Sequence, residues 1–374
     1  MIKILHTGDI HLDSPFSSLD RRQAEIRRSE SRAAFTSMMT YAKMCGADML
    51  LIAGDLFDAS YVTRDTVALL EREFSGFGKP IFITPGNHDP ASENSIWLKY
   101  SFPDNVRVFT SSSLEREDIR VGDEEVSVYG FGFTGNTMEN NPLVSRTADD
   151  PSRTNILLCH CDMTSTSSRD CPMTADILDS FGADYAALGH IHNPPKHGHD
   201  GRWAYCGCLE GRSFDERGPK GALIVEVTKN GENSAVSLKS VRFSKKRYER
   251  GELDVSGAET QSEVSDMIKR YLADNRLGED VLLRLRLRGY VSPSLLIDTD
   301  ALSEENRTLF LLEAEDMTSP DIDPEALEND ITLRGEVFRL LSPSLSSENA
   351  HDREVARRAL RYALSAFSSG KNPF

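Results

Sequence analysis

From residue 1 to about 243, short β-rich apolar runs alternate with turns that hold Gly, Asp, Asn or His, and a helix-like stretch often follows. The runs are Ile2 to Thr7, Met49 to Ala53, Pro80 to Thr84, Val126 to Phe131, Asn155 to Cys159, Tyr185 to Leu188, Trp203 to Tyr205 and Ala222 to Val227. Such alternation predicts an α/β domain. Most of the unusual polar residues stand immediately after these runs, where open α/β sheets bind their ligands. The pair Asn230-Gly231, set between Ala222 to Thr228 and Ala235 to Phe243, predicts a hairpin that closes this domain.

Beyond residue 243 the pattern changes. A basic connector, Lys245-Lys246-Arg247-Tyr248-Glu249-Arg250, leads into a predicted helix near Ser262 to Asp274 and strands Val281 to Arg288 and Thr308 to Ala314. These read as a small α+β cap domain, residues 244–316. Residues 317–374 read as a helical tail that begins at Asp323-Pro324-Glu325, an N-cap followed by proline at the first helical position. Ser342 to Ser347 reads as a hinge before a last helix, from about Asn349 to Phe367. There Val355, Ala356, Ala359, Leu360, Ala363, Leu364 and Phe367 form one apolar face, opposite Arg353, Arg357, Arg358 and Arg361. Either its own core or a partner could cover that face, and its terminal place after the hinge tilts the reading towards a docked partner, with Leu360, Leu364 and Phe367 as anchors.

The 374 residues, 39% hydrophobic and 27% charged, suit a folded chain of two or three domains. No apolar stretch approaches the roughly 20 residues of a spanning helix, so a cytoplasmic protein without membrane contact is expected. Cys159 with Cys161 and Cys206 with Cys208 have one-residue spacing, which fits neither a zinc ribbon nor a disulfide lattice; reduced, buried thiols are expected. The net charge of −16 counts against a general polyanion binder. Any nucleic-acid surface must be local.

Five short motifs carry the chemistry: Asp9-Ile10-His11, Gly54-Asp55-Leu56-Phe57-Asp58, Gly86-Asn87-His88-Asp89, His160, and Gly189-His190-Ile191-His192. Each is weak alone, but together they place nitrogen and oxygen donors at the end of one apolar run after another. Carboxylate, imidazole and amide oxygen favour manganese, iron or zinc over copper or a thiolate cluster. Two such ions about 3.5 to 4 Å apart clamp the attacking and leaving oxygens of an in-line displacement and acidify a bridging water. Asp55 is the natural bridge.

The string D-x-H, G-D-x-x-D, G-N-H-D, H, G-H-x-H resembles that of the calcineurin-like metallophosphoesterases. The flanking residues His6 to Phe16, Gly54 to Phe57, Leu188 to His192 and Tyr205 to Gly221 look like the SbcD-type DNA-repair nucleases, especially their YhaO-like branch. The resemblance covers roughly the first 240 residues well and the remainder in architecture alone. It implies a four-layer αββα sandwich, with the cap and tail appended. By the same resemblance Asp9, His11, Asp55 and His192 would hold one divalent ion, with manganese the first expectation, and Asp55, Asn87, His160 and His190 the other. Every ligand position is filled. His88 would donate to the phosphate or leaving oxygen, and Asp58 would hold its imidazole. Archaeal and eukaryotic relatives usually carry His where this chain has Asp58, which suggests a bacterial-type site.

Arg284, Arg286 and Arg288 alternate with Leu283, Leu285 and Leu287, so one strand face carries three guanidinium groups. A solvated face and a phosphate-tracking stripe both fit, and Arg21, Arg22, Arg27, Arg28 and Arg32 pose the same choice on a helix after the first motif. His197 and His199 are given no metal role. The functional expectation is a two-metal phosphodiesterase acting on DNA, as exonuclease and endonuclease, beside an SMC-like (SbcC-type) ATPase, with a homodimer also compatible. Alternatives are a phosphodiesterase for small nucleotides or other phosphoesters, and a non-enzymatic subunit of an ATPase complex. A protein phosphatase fits less well, because Ala59-Ser60 follow Asp58 where that branch has Arg-Gly.

Overall fold

Every apolar run of the first 243 residues becomes a strand in the computed structural model, which describes residues 1–193, 197–198 and 200–369. The chain divides into two units, Met1–Arg247 and Tyr248–Phe374. In order, the first holds β1 (Ile2–Thr7), α1 (Arg21–Met44), β2 (Met49–Ala53), α2 (Arg64–Phe77), β3 (Ile81–Thr84), α3 (Ile96–Lys99), β4 (Val106–Val108), β5 (Glu115–Val121), β6 (Glu124–Gly130), β7 (Thr154–His160), α4 (Ala175–Phe181), β8 (Tyr185–Gly189), β9 (Trp203–Tyr205), β10 (Gly221–Asn230) and β11 (Asn233–Arg242).

One sheet has the order β11-β10-β1-β2-β3-β4 and the other β5-β6-β7-β8-β9. β1 to β4 run parallel, as do β6 to β9. Alternate side chains sort the layers. Ile4, Met49, Leu51 and Phe82 of the first sheet share a core with Val128, Ile156, Leu158 and Tyr185 of the second. On the outer face of the first sheet, Leu50, Ile52, Ile81 and Ile83 pack with Phe35, Met38, Leu70 and Phe74 of α1 and α2. Leu157, Ala186 and Leu188 pack with Leu178 and Phe181 of α4 on the outer face of the second. The result is the expected four-layer αββα sandwich. Burial on both faces is why these strands read as continuous apolar runs. The Asn230-Gly231 hairpin forms as expected, with Asn230 opposite Asn233 and Gly231 at φ 63°.

The second unit contains β12 (Arg247–Asp254), α5 (Gln261–Asp274), β13 (Val281–Arg288), β14 (Tyr290–Val291), α6 (Thr299–Glu305), β15 (Leu311–Asp316), β16 (Ser319–Pro320), α7 (Pro324–Glu328), α8 (Leu333–Leu345) and α9 (Ala350–Ser369). β12, β13 and β15 form a sheet, over which Val264, Ile268 and Leu272 of α5 pack on Leu283, Leu285 and Leu312. A capping box, Thr260 with Glu263, starts α5.

Three sequence expectations change. The basic connector carries a strand that the sequence did not predict, because Arg247 to Arg250 are paired in β12. The Ser342 to Ser347 hinge is largely helix: α8 runs through Pro343 to Leu345, and the proline costs it one i to i−4 hydrogen bond in its last turn. The apolar face of α9 is covered at its centre, with Leu360 and Leu364 buried on Leu327 and Phe338 of α7 and α8, while Val355 and Phe367 at its ends are exposed.

Candidate metal centre

The strand ends deliver the donors. Asp9 and His11 follow β1, Asp55 and Asp58 follow β2, and Asn87 and His88 follow β3; His160 ends β7, and His190 and His192 follow β8. Backbone bonds lace the first two loops together, with Asp9 N–H donating to the Gly54 carbonyl at 3.0 Å and His11 N–H to that of Asp55 at 3.0 Å. Asp9, His11, Asp55 and His190 all take positive φ, at 47°, 47°, 50° and 102°. Such backbone strain in non-glycine residues collects at functional sites. Gly54 is required by space, since a Cβ there would stand 2.3 Å from His160 Nδ1.

Two donor sets meet at Asp55. In the first, His11 Nε2 lies 3.5 Å from Asp55 Oδ2 and 3.4 Å from His192 Nε2, which is 3.3 Å from Asp9 Oδ1. In the second, His160 Nε2 lies 3.5 Å from the same Asp55 Oδ2, 3.0 Å from Asn87 Oδ1 and 3.3 Å from His190 Nδ1. Asp55 Oδ1 is taken, accepting from His88 N–H at 2.9 Å, so Oδ2 alone faces both sets.

The outer partners fix the tautomers. His11 Nδ1 donates to Asp58 Oδ1 at 2.8 Å, His192 Nδ1 to Glu216 Oε1 at 2.7 Å and His160 Nδ1 to the Ala53 carbonyl at 2.9 Å. These oxygens can only accept, so in the neutral rings each Nε2 presents a lone pair. In neutral rings, lone pairs of His11 and His192 would face each other and a carboxylate at 3.3–3.5 Å, which is repulsive unless a proton or a metal ion lies among them. Residues Asp9, His11, Asp55 and His192 thus fit a divalent ion, with the outer hydrogen bonds that metal-ligating imidazoles use. Without an ion, a proton on His192 meets that need for positive charge. Burial would lower the proton affinity of His192, yet Asp9 and Glu216 lift its pKa to about 10. Burial would raise that of Asp9, yet His192 beside it holds the carboxyl below the usual range.

Residues 2–194 match the calcineurin-like phosphoesterase family. The chain belongs to that family. It is 28% identical over 310 residues to the metallophosphoesterase YhaO of Bacillus subtilis, covering 79% of this chain and 74% of that protein. It is also 28% identical over 303 residues to the DNA double-strand break repair protein Mre11 of Aeropyrum pernix (76% and 71% covered) and 26% over 310 residues to that of Haloferax volcanii (81% and 66%). These relatives agree with the SbcD/YhaO-like resemblance. As a calcineurin-like phosphoesterase the chain is a metal-dependent hydrolase of phosphate esters.

Around this phosphoesterase centre, Asp58 has a wider part than the sequence suggested. Its Oδ1 accepts from His11 at 2.8 Å and also faces His88 Nδ1 at 3.1 Å, so one carboxylate orients two imidazoles. The bond to Asp58 raises the pKa of His88, whose side chain is about half exposed. Two supports escaped the motif reading. Asp89 accepts from the N–H groups of Leu56 at 2.8 Å and Gly86 at 2.7 Å, binding two metal loops together. Glu216 stands 24 residues past its imidazole, and no spacing rule links such a pair. The Gly-Asn-His-Asp motif did contain Asp89, but its role appears only through backbone contacts.

The remaining expectations fall outside the centre. Arg27 is buried among Glu30, Glu210 and the Gly211 carbonyl, and Arg32 pairs with Asp13, so these α1 arginines tie the fold together. Arg284, Arg286 and Arg288 share one strand face, but each meets a carboxylate: Glu313 at 2.7 Å, Glu315 at 2.9 Å and Glu252 at 2.7 Å. All six cysteines are free; Cys159 and Cys161 turn away from His160 into the core against α4. His197 Nδ1 is bonded to the Gly198 carbonyl, and His199 lies outside the described residues. Among the described residues no helix is long and apolar enough to cross a membrane.

Proposed function

We propose that this phosphoesterase holds two divalent ions, manganese first among them, and cleaves phosphodiester bonds in DNA. The observation that carries the two-ion reading is the single oxygen, Asp55 Oδ2, set 3.5 Å from both His11 Nε2 and His160 Nε2. Asp9, His11 and His192 would complete one site, and Asn87, His160 and His190 the other. When bound, the ions supply positive charge for the phosphate and acidity for water near neutral pH. The chain's own residues do the rest. Asp58 accepts from Nδ1–H of His88 and favours its imidazolium, whose Nε2–H can pass its proton to the departing oxygen and leave the ring neutral. Likeness to the Mre11 repair proteins supports DNA as substrate and an SbcC-type ATPase as partner. A second reading, hydrolysis of small phosphodiesters, is favoured by the net charge of −16 and the paired arginines of β13.

The purified chain, supplied with manganese, should cut duplex or single-stranded DNA and lose that activity in chelator. Undiminished cleavage in excess EDTA would sink the metal reading. Turnover of cyclic nucleotides or chromogenic diesters with DNA left intact would select the second reading. Co-purification with a co-expressed SbcC-type ATPase tests the partner.

A further inference from the structure

We infer that Arg212 binds a non-bridging oxygen of the substrate's phosphate, which makes it a substrate-gripping residue beyond the metal-ligand set. The inference rests on the phosphodiesterase reading above.

The guanidinium is held from behind. Glu216, which also accepts from His192 Nδ1, accepts from the Arg212 backbone N–H at 2.7 Å and from Nη2 at 3.2 Å. The preceding residue is pinned as well, because Arg27 donates to the Gly211 carbonyl at 2.9 Å. The other arm is open. Nη1 stands 4.0 Å from Asp58 Oδ2, too far for a hydrogen bond, and makes none among the described residues. Asp58 is the carboxylate that orients both His11 and His88, so Nη1 stands beside the group that links a candidate metal ligand to the candidate acid.

Arg27 shows what a purely structural arginine looks like in this protein. Its side chain is 0% exposed, and both Nη atoms are spent on Glu30, Glu210 and Gly211. The Arg212 side chain is 19% exposed and leaves one Nη uncommitted. Its neighbours Asp58 and Glu216 are carboxylates that would repel a phosphodiester. A planar guanidinium fixed on one side and open on the other suits a tetrahedral oxyanion, which it can meet through charge-assisted hydrogen bonds.

The test uses the full manganese-loaded chain, with inorganic phosphate as probe and a chromogenic phosphodiester as substrate. Arg212→Gln should keep the wild-type metal content and melting temperature. It should weaken phosphate binding on the order of 10- to 100-fold, the range of a lost charge-assisted hydrogen bond, and raise KM more than it lowers kcat. Arg212→Lys keeps a charge but not the fork, so it should recover part of the phosphate affinity even if the glutamine variant folds poorly. Unchanged phosphate affinity in both variants overturns the inference. So does loss of metal in step with loss of phosphate, which would make Arg212 a prop for His192. In either case a wild-type chain that still hydrolyses the diester leaves the reading of the centre standing. A wild type that binds manganese yet neither binds phosphate nor cleaves overturns both.

Discussion

The metal centre and the arginine face of β13 both crowd charged and polar groups together, yet they are opposite in character. On β13, Arg284, Arg286 and Arg288 each meet a glutamate within 3.0 Å, so every cation has its anion. At the centre, protons are turned outward to Asp58, Glu216 and Ala53, and acceptor atoms face one another at 3.3–3.5 Å. The first arrangement is complete in itself. The second needs positive charge among those acceptors, from a proton on His192 or from a bound ion, and burial makes an unmet need costly. Charge pattern in the sequence does not separate the two; the direction in which protons and carboxylates point does.

Removing the shared oxygen breaks the contrast most severely. Asp55→Ala should abolish phosphodiester cleavage and lose both ions together, as read by metal content per chain. Retention of two ions would show that Asp55 is not the bridge.

His88→Ala should keep its metals and lose about 10²- to 10⁴-fold in turnover, the usual range for proton transfer by a positioned side chain. A normal rate at full metal content would mean another group acts as acid. Asp58→Asn should cost less turnover, but because its carboxylate also orients His11 it should weaken metal binding, by about 10- to 100-fold. Metal affinity equal to wild type would confine Asp58 to His88.

In the second unit the largest effect should fall on packing. Leu360 and Leu364 belong to a small cluster with Leu327 and Phe338. Leu364→Ala should cost about 2 kcal/mol, the low end of the range for a buried leucine, without altering hydrolysis of a small chromogenic diester. Thermal unfolding checks this. A variant of wild-type stability that fails to hold an ATPase partner would return the face of α9 to docking.

How much of this was legible follows from distance along the chain. The candidate ligands were readable because each stands just past an apolar run and the sandwich buries those runs on both faces, from Ile2–Thr7 to Tyr185–Gly189. Glu216 and Arg212 were not assigned roles, because their partners are brought close by folding and not by spacing. β12 hid in a basic stretch whose side chains gave no apolar alternation over Arg247 to Arg250. The covered face of α9 was visible as a face, but an amphipathic pattern does not say what covers it.

The smallest expected effect is the most direct test of the self-contained region. If the β13 arginines gripped three phosphates, changing Arg284, Arg286 and Arg288 together to Ser would flatten the log-log salt dependence of DNA binding by about 2.7, at about 0.9 per contact. Because each is already paired with a glutamate, a change well below one is expected, with hydrolysis of a chromogenic diester unaltered. The triple change also leaves Glu252, Glu313 and Glu315 without partners, and their repulsion could weaken DNA binding without any contact being lost. Changing those three glutamates to Ser as well restores the charge balance. DNA affinity that returns to wild type in the sixfold variant shows that the arginines act only by balancing the glutamates. Affinity that stays low, with the slope still flattened, shows that they exchange their carboxylates for phosphates when DNA arrives.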